Sequence, residues 1–219
     1  MSGYEIQVKP GVRLSGKITL PVVYNNKPIV GIAYEGFVDQ TGITHIYFAR
    51  DEVNACEYRA FGMLAFSGCV NLKHIEFPEN LRTINESCFT RCQSLIVSSI
   101  GNKIYRIQSN AFNQALTNPA GQTSYNITLG GGVKILGSGA FSNNRGTLNK
   151  LTIGSSQDPS QLYQISEGAV YQNQGQELRS LEIYCTSDRQ SYFSGLTFGS
   201  SRSDHFQVAS ADAVSIIVV

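Results

Sequence analysis

A chain of 219 residues, 42% hydrophobic and 15% charged, can build a real core in one elongated or one large globular domain. Its formal net charge of +1, with Lys and Arg scattered singly, excludes recognition of nucleic acid or of an anionic membrane by bulk electrostatics. No apolar stretch is long enough to insert in a membrane as a helix, and five cysteines without a C-x-x-C give neither a disulfide framework nor a zinc ribbon.

In chain order, the first segment is MSGYEIQVKPGVRLSG, which lacks the charged and apolar regions of a signal peptide. Either the chain is not exported by that route or it is cut from something longer. Residues 1–13 are expected to cap the first coil of a repeat. From 14 to 185 three landmarks recur. A strand landmark falls at Ile18, Ile46, Ile75, Ser98, Ile127, Leu151 and Leu181. A second falls at Ile32, Phe61, Ile84, Ile107, Leu136 and Ile165, and a third at Phe37, Phe66, Phe89, Phe112, Phe141 and Val170. The step from second to third is five residues in all six coils, whereas the other two steps vary. Insertions therefore fall at two corners of a coil, at 21–28, 49–59 and 154–162 and at 113–124, and never inside the five-residue segment. Landmarks that stack on their own copies one coil away must point inward, so the third set is the predicted core column. A segment such as LKHIEF alternates in and out as a half-buried strand does and returns one coil later in the same direction. These features predict a mainly β solenoid of about six coils with a parallel sheet and terminal caps. Residues 186–219 lose the repeat. There a Gly/Ser stretch at 195–203 reads as a hinge to VSIIVV, a capping strand or a strand given to a neighbouring subunit.

The units AFSGCVNLKHIEFPENLRTINESCF and VKILGSGAFSNN resemble the leucine-rich repeats of the BspA-like, Treponema-type subclass. That unit is roughly C-x-x-L-x-x-I-x-I-P-x-x-V-x-x-I-G-x-x-A-F. The opening LSGKITLPVVYNNKPIVGIAYEGF is similar to the first coil of that subclass. The chain departs from the pattern at Ser98 and at Val170, where the subclass has an apolar residue and Phe. The resemblance implies a repeat solenoid and, by its usual setting, an exported protein. A chain without an export signal fits a virion or assembly part, or a fragment of a surface protein.

The residues flanking the central landmark of each strand point outward in two columns: His45, His74, Val97, Asn126, Lys150 and Ser180, and Tyr47, Glu76, Ser99, Thr128, Thr152 and Glu182. His45, Tyr47, His74 and Glu76 should form one patch, with Asn126, Thr128, Lys150 and Thr152 further along the same face. Two histidines and a carboxylate could hold a metal, but a polar sheet face is the default for such strands, so no metal and no cofactor are expected. Glu76 and Glu182 share a column four coils apart, roughly 19 Å at the strand spacing of a sheet, too far for a glycosidase pair. GGGVKILGSG lacks G-K-[ST] and coincides with a turn, and Cys69 and Cys92 recur at one coil position as small buried residues.

The pattern leaves three readings of function. The first is a non-catalytic module that binds a protein or a surface glycan through the sheet face, in adhesion or recognition. The second is a structural subunit of a larger assembly, such as a bacteriophage virion decoration or fibre. The third, a carbohydrate-active parallel β-helix, is disfavoured by the missing acid pair.

Overall fold

Residues 3–50, 56–172 and 176–219 are described by a computed structural model. Strands are numbered in chain order. One face, here the front, carries β2 (Ser15–Leu20), β5 (Gly42–Phe48), β7 (His74–Ile75), β9 (Ser99–Ile100), β11 (Tyr125–Leu129), β13 (Leu148–Ile153), β15 (Ser180–Cys185) and β18 (Val214–Val218). The back sheet runs β1 (Tyr4–Ile6), β4 (Lys27–Ile32), β6 (Ala60–Phe61), β8 (Thr83–Ile84), β10 (Arg106–Ile107), β12 (Ile135–Leu136) and β14 (Gln164–Ile165). Every pair that hydrogen-bonds along these two series is parallel, which a coil returning in one direction requires. Parallel pairing runs up two faces of the coil stack where a single parallel sheet was expected. The second landmarks pair in register, Ile32 with Phe61, Phe61 with Ile84, Ile107 with Leu136 and Leu136 with Ile165. Most back strands are two residues long, too short to show an alternating pattern.

Between back and front strands the chain makes a tight turn that carries the aromatic column. Phe37, Phe66, Phe89, Phe112 and Phe141 are buried, with successive ring centroids 5.3, 5.3, 5.0 and 5.1 Å apart. Val170 extends the column, also buried. Burying each ring is worth about 1.5–3 kcal/mol. The backbone is in step with the rings: Phe66 N–H donates to Cys88 O at 2.8 Å and Phe89 N–H to Ala111 O at 2.8 Å. Two left-handed residues flank each ring. Glu35, Leu64, Ser87, Asn110, Gly139 and Gly168 precede it by two positions, and Asp39, Gly68, Arg91, Gln114 and Asn143 come two positions after it. The first of the two lies inside the five-residue step, three positions after the second landmark in every coil, and the turn it makes fixes the length of that step.

Backbone carbonyls of the column residues accept an N–H from their own turn at Phe37, Phe66 and Phe89, and side chains of the next coil donate to three of the column's carbonyls. The Cys69 thiol donates to Phe37 O at 3.1 Å, the Cys92 thiol to Phe66 O at 3.0 Å, and the Gln172 amide to Phe141 O at 2.6 Å. Gln40, at the same coil position, accepts from Leu14 N–H at 2.8 Å and donates to Val12 O at 3.2 Å, fixing the N-terminal segment on the first coil. Asn144, Gln172 and Gln207 continue as a buried ladder of amides towards the other end.

Three of the four insertions are tied down within the described residues. In 21–28, β3 (Val23–Tyr24) pairs antiparallel with the start of β4 across Asn25 and Asn26, both at positive φ as a two-residue hairpin turn demands. In 113–124, Ala115 and Leu116 N–H donate to buried Asn144, and Leu116 bridges to Leu95. In 154–162, Asp158 accepts from Gly131 N–H at 2.8 Å. Of 49–59, residues 51–55 lie outside the described residues. The glycine run at 130–132 sits against the previous coil: a Cβ on Gly132 would lie 1.7 Å from Asn102 O, so close backbone approach explains it.

Two further expectations are corrected. Residues 195–203 are not a hinge. β16 (Phe198–Gly199) pairs with β17 (Phe206–Gln207), Phe206 is fully buried, and Val170 N–H donates to His205 O, so a seventh turn continues the column past Val170. A short helix, α1 (Gln190–Ser194), is inserted before it and lengthens the step, which hides the repeat. The other correction lies at coil three, where Val97 is buried and Ser98 exposed, the reverse of the expected order. A serine hydroxyl facing an apolar interior would lack a partner, so the chain turns Val97 inward instead. VSIIVV forms β18, which pairs with β15 of its own chain from Leu181–Val214 to Cys185–Val218.

Candidate functional site

The turn inward at Val97 has a consequence for the front face. Ile96 N–H still reaches Lys73 O at 3.1 Å, but β7 and β9 are not paired, and the front strands form one sheet of β2, β5 and β7 and another of β9, β11, β13, β15 and β18. A groove of about 380 Å³ opens between them, lined by His74, Phe77, Ile96, Val97 and Ser98 among others. The outward residues accordingly fall in two groups rather than one continuous face.

In the N-terminal group, register places Lys17 beside His45 and His45 beside His74. Three rings gather: Tyr47 is 5.5 Å from His74 and 6.1 Å from His45, and the two imidazoles are 6.2 Å apart between centroids. His74 is exposed, while His45, Tyr47 and Glu76 are half-buried. His45 Nδ1 is within hydrogen-bond distance of Thr44 Oγ1, 2.9 Å. Loss of hydration holds His45 below the ordinary imidazole value, and the charges of Lys17, His74 and Lys73 add to the effect. Glu76 is committed elsewhere: its carboxylate accepts from Phe48 N–H at 3.1 Å and faces Arg50 at 3.7 Å. Lys17 escaped the reading of the sequence, although it stands one residue before Ile18 as His45 stands before Ile46; the outward column was begun one coil late.

In the C-terminal group, Asn126 pairs in register with Lys150 and Lys150 with Ser180, and Thr128 with Thr152 and Thr152 with Glu182. Asn126 and Thr128 are exposed, Lys150 and Thr152 half-buried. Lys150 donates to Glu182 Oε1 at 2.6 Å, so the two charges of this group neutralise each other.

Glu76 and Glu182 are each engaged by a cation. Burial pushes the Cys69 thiol up to about 12 and those of Cys88 and Cys92 well above the ordinary value, so they stay protonated, and Cys69 and Cys92 serve as donors to carbonyls. Among the described residues, no three His, Cys, Asp or Glu side chains stand together as a metal would need. Nor, among them, is any helix long and apolar enough to cross a membrane.

Several solved structures are similar to this chain. A leucine-rich-repeat protein of T. pallidum is 24% identical, with a TM-score of 0.43, over 63% of this chain and 72% of that one. One from Bacteroides ovatus is 14% identical with a TM-score of 0.36, over 98% and 76%. The pneumococcal vaccine antigen PcpA is 13% identical with a TM-score of 0.28, over 97% and 91%. No curated protein matches the sequence. The model of the BspA type leucine rich repeat region matches residues 37–177 in six copies, well over half of the chain. The chain belongs to the BspA-type leucine-rich-repeat family.

Proposed function

We propose that the chain is a non-catalytic recognition module that docks a protein partner on its front face. The contacts would come from His45, Tyr47, His74 and Glu76 in one group and from Asn126, Thr128, Lys150 and Thr152 in the other. The observation that carries this reading is the outward ring cluster on a parallel sheet whose other side is packed into one continuous core. Aromatic side chains held rigidly at a surface give contact area at small entropic cost. Membership of a repeat family supports a binding role over catalysis, and so does the engagement of both front-face glutamates by cations. A surface glycan is the other ligand such a face could hold. The reading as an assembly subunit drew on a strand donated by residues 214–219, and those residues pair with their own chain.

The test is a photoreactive amino acid placed at Thr128 on the front sheet or at Arg106 on the back sheet, with irradiation in the native cell. Covalent protein adducts at 128 and not at 106 are expected. Adducts confined to 106 would overturn the assignment of the face.

A further inference from the structure

We propose that the front face from Lys17 across His45 to His74 docks an acidic segment of the protein partner, and that it does so in mildly acid medium. The inference rests on the reading of the front sheet as the binding face and names what its N-terminal third recognises. The register sets Lys17, His45 and His74 side by side on three consecutive strands. At the strand spacing of a sheet they make one row about 10 Å long. Lys73 borders the row, and it, Lys17 and His74 are exposed while His45 is half-exposed.

The charges around the row come from every element beside it. β2 brings Lys17, β5 brings His45 with Arg50 just past its end, and β7 with its flank brings Lys73, His74 and Glu76. Across the gap stand Ile96, Val97 and Ser98, all uncharged. Glu76 is already met by Phe48 N–H and by Arg50. Imidazole is the side chain that gains a charge between neutral and mildly acid pH, so acidification turns the row into a strip of cations with no free counter-charge among the described residues beside it. His45 is held below its ordinary value first by desolvation and then by Lys17, His74 and Lys73. A carboxylate laid on the row opposes those effects and draws a proton onto the ring, so docking and protonation are linked.

The groove next to His74 identifies the ligand as a peptide. Phe77, Ile96 and Val97 give it an apolar lining, and Ile96 is 39% exposed. An apolar side chain beside carboxylates fills both features at once, which an anionic polysaccharide cannot do.

The probe is a fluorescein-labelled peptide of consecutive aspartates ending in a leucine, titrated with the full chain by anisotropy at pH about 5.5 and about 7.5, either side of the imidazole range. Binding roughly tenfold tighter at the lower pH is expected, since carboxylates laid on the row draw protons onto it. It should be lost in the His45→Gln/His74→Gln double variant, weakened several-fold in Lys17→Glu and in Ile96→Ser, and unchanged in Lys134→Ala, at an exposed position beside the back sheet. Circular dichroism checks that each variant remains folded. Equal affinity at the two pH values, or full affinity in the double variant, would sink the proposal. So would a heparin oligosaccharide that competes with the peptide and is indifferent to Ile96→Ser, because the site would then be a general polyanion surface. If the acidic peptide fails while cross-links at Thr128 persist, this inference falls alone. If both fail, the front-face reading falls with it.

Discussion

At the scale of single residues, the third landmark does most to hold the molecule together. Phe89 is fully buried and stacked at 5.3 Å on Phe66 and at 5.0 Å on Phe112, so it lies in the middle of the column. Phe89→Ala should cost about 3–5 kcal/mol, the usual figure for an emptied aromatic core site, read as a lower midpoint in denaturant. This column was legible in the sequence because its spacing from the second landmark never changes. The phase of Leu95-Ile96-Val97 was not, because three apolar residues in a row fit either alternation and the flanking Ser98 gives no apolar anchor. Lys17 is legible by the same offset as His45, one residue before the central landmark of its strand. His45 yields a prediction of sign. Its folded value is depressed, so as pH falls below the ordinary imidazole range the unfolded chain takes up a proton before the folded one does. The stability associated with neutral His45 is present above the unfolded value and is lost as pH falls through the folded one. The melting temperature of the wild type should therefore drop more than that of His45→Gln between about pH 8 and about pH 5. An equal drop would mean that His45 does not sense this environment. Saturating acidic peptide should reverse the sign, since it favours the charged ring.

At the scale of elements, the turn around each ring is defined by backbone as much as by packing. The left-handed position inside the five-residue step recurs at the same place in every coil and explains why insertions are excluded there, which the spacing showed without giving the cause. Some occupants suit the conformation poorly. Arg91 is exposed and holds φ at 62°, a conformation that costs a residue with a Cβ about 1–2 kcal/mol. Glycine gives back part of that through its greater freedom in the unfolded chain. Arg91→Gly should thus raise stability by about 0.5–1 kcal/mol, and Arg91→Val should lower it. A lower melting temperature for the glycine variant would show that the Arg91 side chain itself contributes. The second sheet escaped detection for a related reason: its strands are set by the turns on either side, not by an alternating pattern of their own. At the break between β7 and β9 an element departs from the repeat and also changes the surface. There the loss of an apolar strand residue at Ser98 creates the groove beside the ring cluster.

At the scale of the whole molecule, stability accumulates from coil to coil, and the ends are where it is most exposed to loss. The C-terminal segment seals the front sheet in two ways. β18 covers the edge of β15 along five register pairs, and α1 packs against β18. Residues 204–208 add Phe206 to the core and Gln207 to the amide ladder, so the last coil is finished before β18 begins. Deleting residues 212–219 removes β18 and leaves that inner closure in place. It strips Leu181–Cys185 of one of its two hydrogen-bonded neighbours and uncovers the edge at Ile183, which is fully buried in the intact chain. A strand of that composition with a free edge pairs with any other it meets. The truncated protein should therefore aggregate at concentrations where the full chain stays in solution, while its circular dichroism, taken before aggregation, still reports most of the β structure. Replacing β18 with the same number of residues of a Gly/Ser sequence should fail to restore solubility, because chain length is not what caps the edge. Replacement by an alternating Thr/Val strand should restore it. A soluble, monomeric truncation would assign the capping to residues 204–208 alone and leave β18 without a structural task.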